Sequence, residues 1–335
     1  MERQQEQPLI GESPIFLEVL EHVSRVAQLN RPVLVIGERG TGKELIAARI
    51  HFLSPRWDRP FVKLNCAALA ESLLETELFG HEAGSFTGAT RRRLGRFELA
   101  NEGSLFLDEL SNTSERVQEK VLRVIEYGEL ERVGGNDMIK TDVRIIGATN
   151  EDLPGLAEQG KFRPDLLDRL AFDVITLPPL RERREDLLPL AEHFAVKMSG
   201  ELGLDLFQGF SDAAREQMMD YGWPGNVREL KNVVERAVYS SLGNDEPISG
   251  MVFDPFASPW RPGGPKLTDP VQAAPALPSE NYNFKEHIQQ HEIELLQSAL
   301  EQCRFNQKKT ADFLGMTYHQ LRGYLRKYEL TDPDD

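Results

Sequence analysis

Short apolar runs alternate with helical patterns along the first half of the chain. Each run is bounded by polar residues or glycine and is short enough to be a strand. The runs occupy residues 33–36, 61–64, 105–107, 143–146 and 172–175. A helix start is signalled at Ser13, a capping residue followed by Pro14. Strands that alternate with helices predict a mostly parallel sheet covered on both faces.

The pattern changes after the last of these runs. Residues 181–250 are helical throughout, which predicts a helical subdomain after an α/β subdomain at residues 1–180. Residues 251–281 hold seven prolines and two adjacent glycines, so we expect a semi-rigid linker. Its first aromatic side chains are expected to hold it against the preceding domain: Phe253, Phe256 and Trp260.

The last 54 residues, 282–335, contain one long and two shorter helical patterns. The whole chain carries a net charge of −15, which argues against a general nucleic-acid binder. Residues 304–328 are the exception, with six basic residues and one acidic residue. The sequence therefore confines its positive charge to a small module at one end.

Composition is that of an ordinary globular protein, with 40% hydrophobic and 28% charged residues among 335. No apolar run approaches the ~20 residues that cross a bilayer, and the first ten residues lack the apolar centre of a signal peptide. Cys66 and Cys303 are far apart and match no metal or redox spacing. We interpret them as reduced thiols in a cytoplasmic protein.

The first strand leads into a glycine-rich turn, GERGTGKE, that is followed by a helical pattern. Glycines in such a turn let backbone N–H groups converge on phosphate oxygens. This layout predicts nucleotide binding, with a turn that binds nothing as the alternative. Where the general motif has a Ser or Thr ligand to Mg²⁺, this chain has Glu44. The predicted nucleotide-binding residues are Gly37, Glu38, Gly40, Thr41, Gly42, Lys43 and Glu44.

Two carboxylates follow the buried run GSLFL. Behind a phosphate loop, Asp108 is expected to hold Mg²⁺, largely through water, and Glu109 to polarise the attacking water. Thr149 and Asn150 end another strand, where they either sense the γ-phosphate or form a simple turn. Together these motifs predict hydrolysis of ATP or GTP.

Arginines near the end of the α/β part suit the charge that develops on a transferred phosphoryl group. Arg163 and Arg169 are candidates to act from a neighbouring subunit, with pairing to nearby aspartates as the alternative. Arg228 lies just inside a helix start in the helical subdomain, where a cation would let that subdomain respond to hydrolysis.

Seven motifs in a fixed order carry a family resemblance: GERGTGKE, GSFTGA, GSLFLDE, RVIEYGELERVGG, FRPDLLDRL, LPPLRER and GWPGNVREL. Over about residues 8–240 the chain resembles the AAA+ domain of bacterial enhancer-binding proteins, the activators of sigma-54 RNA polymerase. Its end resembles the Fis-type helix-turn-helix of the same family. The resemblance implies an α/β AAA+ P-loop ATPase with a helical lid, followed by an all-α DNA-binding domain.

The family's functional roles fall on these positions: Lys43, Asn65, Asp108, Glu109, Asn150 and Arg228. In the family Glu44 is the usual phosphate-loop residue, and Asn65 matches the residue that links the catalytic glutamate to the sigma-contacting loop. Arg163 and Arg169 match arginine fingers. The resemblance also implies rings, commonly hexamers, with ATP between subunits.

One apolar side chain, Phe86, stands between glycines in a segment without apolar periodicity. The family's loop at this place reads GAFTGA and contacts sigma-54. We therefore expect a nucleotide-driven loop that grips the sigma factor, with burial of Phe86 in its own subunit as the alternative. The expected contact residues are Gly84, Ser85, Phe86, Thr87, Gly88 and Ala89.

The AAA+ pattern begins almost at the first residue, which leaves no room before it for the sensor domain of most family members. The resemblance to family members that lack this domain implies control in trans by a negative regulator of the PspA type, the phage shock protein A repressor. Trp57, in a polar loop bounded by prolines, is a candidate contact for it. Packing of Trp57 at a subdomain edge is the alternative.

The basic end predicts two short helices joined by a glycine turn at Gly315. Thr317 is expected to cap the second helix, which would enter the major groove. A protein-docking module with a solvated basic face is the alternative. The expected DNA contacts are Lys308, Lys309, Tyr318, His319, Gln320, Arg322, Arg326 and Lys327.

Two other functions are alternatives to that of an enhancer-bound ATPase. GSFTGA and the basic DNA-binding module argue against a protein-remodelling chaperone or unfoldase, which does not require site-specific DNA binding. Asp108, Glu109 and the paired arginines argue against a simple repressor with a structural nucleotide, which does not require hydrolysis. The sequence therefore favours an activator.

Overall fold

The computed structural model describes residues 9–86, 89–204, 206–243, 246–257, 260–261, 284–303, 305–328 and 330. The chain divides into two compact units, Met1–Pro255 and Phe256–Asp335. Among the described helices, none has the length and apolar character that crossing a membrane requires.

A five-stranded parallel sheet forms the centre of the first unit, in the order β2-β3-β6-β1-β7. A small antiparallel pair, β4 and β5, lies outside it. This confirms the predicted parallel sheet. The strands are β1 Val33–Ile36, β2 Phe61–Asn65, β3 Ser104–Asp108, β4 Glu129–Leu130, β5 Ile139–Lys140, β6 Arg144–Thr149 and β7 Val174–Thr176.

Helices cover both faces of this sheet. Successive residues of β1 point to opposite sides, so Leu34 packs in one apolar cluster while Val33 and Val35 pack in another. The second cluster holds the apolar faces of α1 and α2, and the first those of α3 and α5. The helices of this part are α1 Pro14–Ala27, α2 Lys43–Phe52, α3 Glu71–Phe79, α4 Arg96–Leu99, α5 Glu115–Tyr127, α6 Leu153–Glu158 and α7 Pro164–Leu170.

The lid packs around α8 Leu187–Glu201, α9 Asp212–Asp220 and α10 Asn226–Ser240. Trp223 is fully buried at its centre and donates its indole N–H to the carbonyl of Met218 at 2.9 Å. The indole is thus satisfied while its ring fills the lid core.

The last strand begins two residues later than predicted, and the start of the predicted linker packs against the lid through Phe253, as expected. Phe172 is 53% exposed and precedes β7. The sequence placed it in the strand because an apolar run indicates hydrophobicity but not burial. Met251 and Phe253 belong to the lid core, where Phe253 stacks on Tyr221 at 4.3 Å. Phe256 and Trp260 are exposed. Most of the remaining linker lies outside the described residues.

The described part of the second unit contains three helices, α11 Phe284–Gln302, α12 Gln307–Phe313 and α13 Tyr318–Lys327. Their core comprises Leu296, Leu300, Ala311, Leu321 and Leu325. Gly315 forms the turn before α13 with φ +65°, a conformation that favours glycine. This confirms the predicted pair of short helices after a long one.

Candidate functional site

The phosphate loop lies between β1 and α2, at the carboxyl edge of the sheet. Gly40 and Gly42 have φ angles of +79° and +100°, which other residues rarely adopt. Lys43 is buried and its ammonium donates to the carbonyls of Gly37 at 2.9 Å and Glu38 at 3.2 Å. Lys43, the first residue of α2, thereby holds the backbone of the preceding loop in place.

Charged groups of both signs act on this buried cation. Burial lowers the pKa of Lys43, while the charges of Glu109 and Asp108 act in the opposite direction. The charge of Arg228 also reaches Lys43 and lowers its pKa. The structure therefore brings the predicted loop lysine, both acids and the lid arginine into one electrostatic site.

Asp108 ends β3 beside Asn65, its register partner at the end of β2. The Asn65 amide donates to one carboxylate oxygen of Asp108 at 3.1 Å, and the N–H of Glu109 donates to the other at 3.1 Å. Both oxygens of Asp108 are thus oriented. Here Asn65 contacts Asp108, whereas the resemblance assigns it to the glutamate.

Glu109 has a φ of +53°, an unfavourable left-handed conformation for a side chain of its size. With its amide oriented to satisfy both groups, Asn150 donates to the two carboxylate oxygens of Glu109 at 2.5 and 3.1 Å. The strained backbone and the amide together fix where this carboxylate points. Thr149 is fully buried and its hydroxyl lies 3.2 Å from that of Ser111.

The donor set at this edge fits Mg²⁺ bound mainly through water and phosphate. No group of three or more His, Cys, Asp or Glu residues suited to a metal occurs within the described residues. The Glu44 carboxylate pairs with Lys63 at 3.0 Å, so it is directed toward β2. Asp108 offers an oriented oxygen, and Mg²⁺ commonly takes one or two carboxylates while keeping several waters.

The lid contacts the phosphate loop through Glu38. This carboxylate accepts hydrogen bonds from Arg181 at 2.6 and 3.0 Å and from the Asn226 amide at 3.0 Å. The hydrogen bonds from Arg181 and then Asn226 lower the pKa of Glu38 to about 2. The contact is close, because a Cβ added to Gly40 would lie 2.3 Å from the carbonyl oxygen of Gly225.

The two candidate arginine fingers lie around α7. Arg163 precedes α7 and pairs with Asp165 at 2.7 Å, as the alternative interpretation expected. Arg169 pairs with Glu126 on α5 at 2.9 Å instead of with Asp168. Both ion pairs are partly exposed, and such pairs contribute little to stability.

The candidate sigma-54 loop is a tight turn at its base. The Gly84 N–H donates to the Ala89 carbonyl at 2.7 Å, and the Ser85 hydroxyl donates to the Glu82 carbonyl at 2.8 Å. Phe86 is 45% exposed and meets His81 edge to face at 5.0 Å, so it is not a core residue. Thr87 and Gly88 lie outside the described residues.

Arg132 is a residue that the sequence analysis missed. It is buried and bonds to Glu82 at 2.7 Å and to Glu98 at 2.5 Å, and these acids hold its pKa well above the ordinary value. This network joins the base of the loop to α4. An arginine in a charged stretch, GELERVGG, gives no signal of burial.

The candidate DNA-binding surface lies on α12 and α13. Thr317 caps α13 as predicted, but Gln320 completes a capping box with its side-chain oxygen. Lys327 lies 3.6 Å from Glu292 of α11. Gln320 and Lys327, two of the predicted DNA contacts, therefore interact with other residues of this chain. The other six comprise half-buried Tyr318 and the exposed side chains Lys308, Lys309, His319, Arg322 and Arg326.

Trp57, the candidate repressor contact, is 63% exposed at the surface of the first unit. Its backbone N–H donates to the carbonyl of Ser54 at 3.1 Å in the turn after α2. The loop thus presents the indole to solvent instead of packing it at an edge.

Three family models match the chain. Residues 9–176 match the sigma-54 interaction domain. Residues 181–250 match the AAA+ ATPase lid domain, and residues 288–328 match the bacterial regulatory proteins of the Fis family. The matches follow each other in the order that the fold shows.

Similar proteins agree with these matches. The chain is 56% identical to the Psp operon transcriptional activator of Escherichia coli K12, over 96% of this chain and 98% of that protein. It is 47% identical to a Nif-specific regulatory protein of Azotobacter vinelandii, over 94% of this chain and 58% of that protein. The crystal structure of NtrX from Brucella abortus in complex with ADP is similar, with a TM-score of 0.68 and 33% identity over 96% of this chain and 69% of that one.

Proposed function

Because the chain belongs to the sigma-54 interaction domain family of AAA+ ATPases, we propose that it is an enhancer-bound transcriptional activator. In this proposal it hydrolyses ATP to remodel sigma-54 RNA polymerase holoenzyme and to open promoters. The observation that carries the proposal is the pairing, in one chain, of the Lys43–Asp108–Glu109 site with an exposed phenylalanine loop. It acts in the cytoplasm, where polymerase and DNA lie.

The chemistry follows from the site residues. Phosphate-loop N–H groups and Lys43 bind the β- and γ-phosphates, and Asp108 holds Mg²⁺ through its water shell. Mg²⁺, when bound, supplies positive charge against the phosphate oxygens. Glu109, held by Asn150, orients and deprotonates the attacking water. Arg228, a cation on the lid, responds to the change in phosphate charge that hydrolysis produces.

The proposed active assembly is a homo-oligomeric ring, hexameric when active. Arg163 and Arg169 then complete the site of the neighbouring subunit, after leaving their present carboxylate partners.

Residues 84–89 are the proposed sigma-54 contact. Arg132 connects Glu82 at the base of that loop to Glu98, so a change in this network alters the loop's position. Phe86 at the exposed end offers an apolar anchor to the sigma factor. In this proposal the loop changes position with the nucleotide state, as in other nucleotide-driven switches.

The proposed targets are phage shock protein promoters. The support is the similarity to the Psp operon activator, which is 56% identical and aligned over 98% of its length. The exposed side chains of α13 read the enhancer, and Lys308, Lys309 and Arg326 bind its phosphates. A PspA-like protein is the proposed negative regulator, with Trp57 as its contact.

Open-complex formation on a sigma-54 promoter tests this function. The protein is combined with sigma-54 holoenzyme and either ATP or a non-hydrolysable analogue. Opening with ATP alone supports the proposal. Turnover of ATP without any promoter opening contradicts it and favours a protein-remodelling function.

A further inference from the structure

Four carbonyl groups of the phosphate loop are held by side chains. The Lys43 ammonium donates hydrogen bonds to the carbonyls of Gly37 and Glu38. The other two carbonyls accept hydrogen bonds from side chains of the lid. The Asn226 amide donates to the Arg39 carbonyl at 3.1 Å, and the guanidinium of Arg183 donates to the carbonyl of Thr41 at 3.3 Å.

The N–H groups on the two lid-held peptides belong to Gly40 and Gly42. In a trans peptide the C=O and N–H point in opposite directions, so a fixed carbonyl also fixes the N–H. Neither glycine N–H makes a hydrogen bond to any group in the described part of the chain. Unpaired backbone amides in a glycine-rich turn are the groups that bind anions in a nest.

Both lid-side donors are rigidly anchored. Asn226 is fully buried, accepts a bond from the Leu180 N–H at 2.8 Å and donates to Glu38. Arg183 is 2% exposed and lies 3.7 Å from fully buried Asp186. Asp186 in turn accepts from the N–H and hydroxyl of Ser13 at 2.7 and 2.8 Å.

We propose that Asn226 and Arg183 are positioning residues of the phosphate loop. They turn the Arg39 and Thr41 carbonyls outward, which aims the Gly40 and Gly42 amides at the nucleotide phosphates. Seating of the lid thereby sets the affinity for ATP. The inference rests on the proposed function, because it requires that this loop binds nucleotide.

The sharpest variant is Asn226→Asp. Aspartate keeps the acceptor for Leu180 and tolerates the φ of +53° at this position, but it cannot donate to the Arg39 carbonyl. Adding Glu38→Gln removes the new charge repulsion while leaving that carbonyl unheld. Arg183→Lys retains the charge beside Asp186, and Arg183→Met removes it. The control is Lys231→Ala on α10, where half-exposed Lys231 pairs with Glu235 at 3.7 Å.

Binding of a fluorescent methylanthraniloyl-ATP, steady-state ATPase kinetics and thermal midpoints are measured for each full-length variant. We expect Asn226→Asp, alone and with Glu38→Gln, to raise Kd and KM about tenfold and kcat to change less than twofold, with the control unchanged. Arg183→Lys should retain more affinity than Arg183→Met. Wild-type affinity in the variants overturns the inference, as does a loss of kcat and thermal midpoint without a selective rise in KM. Failure of the wild-type protein to bind the probe contradicts the proposed function instead.

Discussion

Asn150 and Glu109 meet at the carboxyl edge of the sheet, where the Asn150 amide nitrogen lies 2.5 and 3.1 Å from the two carboxylate oxygens of Glu109. They follow β6 and β3, which are neighbouring strands. The pair joins the proposed phosphate-sensing residue to the proposed general base. The position of the Glu109 carboxylate therefore depends on a side chain from another strand.

Replacing Asn150 by alanine should slow ATP hydrolysis by ~10-fold or more, because Glu109 loses the group that orients its carboxylate. Glu109→Gln should slow it further, by ~10² to 10⁴, since it removes the base itself. Both variants should bind nucleotide with nearly wild-type affinity. Single-turnover kinetics with a binding titration distinguish the two steps, and equal rates in Asn150→Ala and wild type would contradict the role of the pair.

The sequence predicted the site's residues better than their partners. Phosphate-loop glycines, Lys43 and the Asp108–Glu109 pair follow from local spacing, because strand, turn and helix are adjacent in the chain. The partner of Asn65 does not, since it depends on the register between β2 and β3. Buried Asp186 was also missed, because an acid in the stretch RERRED has the pattern of a solvated surface.

Arginine fingers that act between subunits predict a specific mixing result. Arg163→Ala and Arg169→Ala should each lower ATPase activity by ~10³ or more. Mixing Arg163→Ala with Glu109→Gln should restore part of the activity, because some boundaries then pair an intact glutamate with an intact arginine. Arg25→Ala, a surface arginine on α1 that pairs with Glu21, serves as control. No recovery on mixing would contradict action in trans.

The two thiols should differ strongly in reactivity. Cys66 is buried, and burial raises its pKa to about 12, with the charges of Asp108 and Glu109 acting in the same direction. A raised pKa favours the neutral thiol, so at pH 8 only ~10⁻⁴ of this group is the reactive thiolate. A chromogenic disulfide reagent should modify one thiol per folded chain, at half-exposed Cys303, and the second only after unfolding. Fast modification of folded Cys303→Ser would contradict this assignment.

DNA binding should separate sequence recognition from phosphate contact. Arg322→Ala should weaken binding to the enhancer by ~1 to 3 kcal/mol and leave non-specific binding nearly unchanged. Lys308→Ala should weaken both and lower the salt slope by about 1. Fluorescence anisotropy over a range of salt concentrations measures these effects. A loss of non-specific affinity in Arg322→Ala as large as its loss on the enhancer would contradict a role in base recognition.

The fold of the second unit was predictable, but the use of two of its polar side chains was not. Leucine spacing and Gly315 determine the helices. Gln320 and Lys327 occur on the exposed side of α13, yet Gln320 caps the helix and Lys327 contacts Glu292. Whether such a side chain bonds to the protein itself or is free to contact a ligand depends on the tertiary structure, so the sequence does not predict it.

In the proposed function, ATP hydrolysis drives promoter opening through the exposed loop. The most direct measurement compares wild type, Phe86→Ala and the control Phe172→Ala for ATPase activity and for open-complex formation with sigma-54 holoenzyme. Phe172 is likewise an exposed aromatic, 53% accessible, but it lies outside the loop. We expect all three proteins to hydrolyse ATP at similar rates and only Phe86→Ala to lose promoter opening. Wild-type promoter opening by Phe86→Ala would contradict the account.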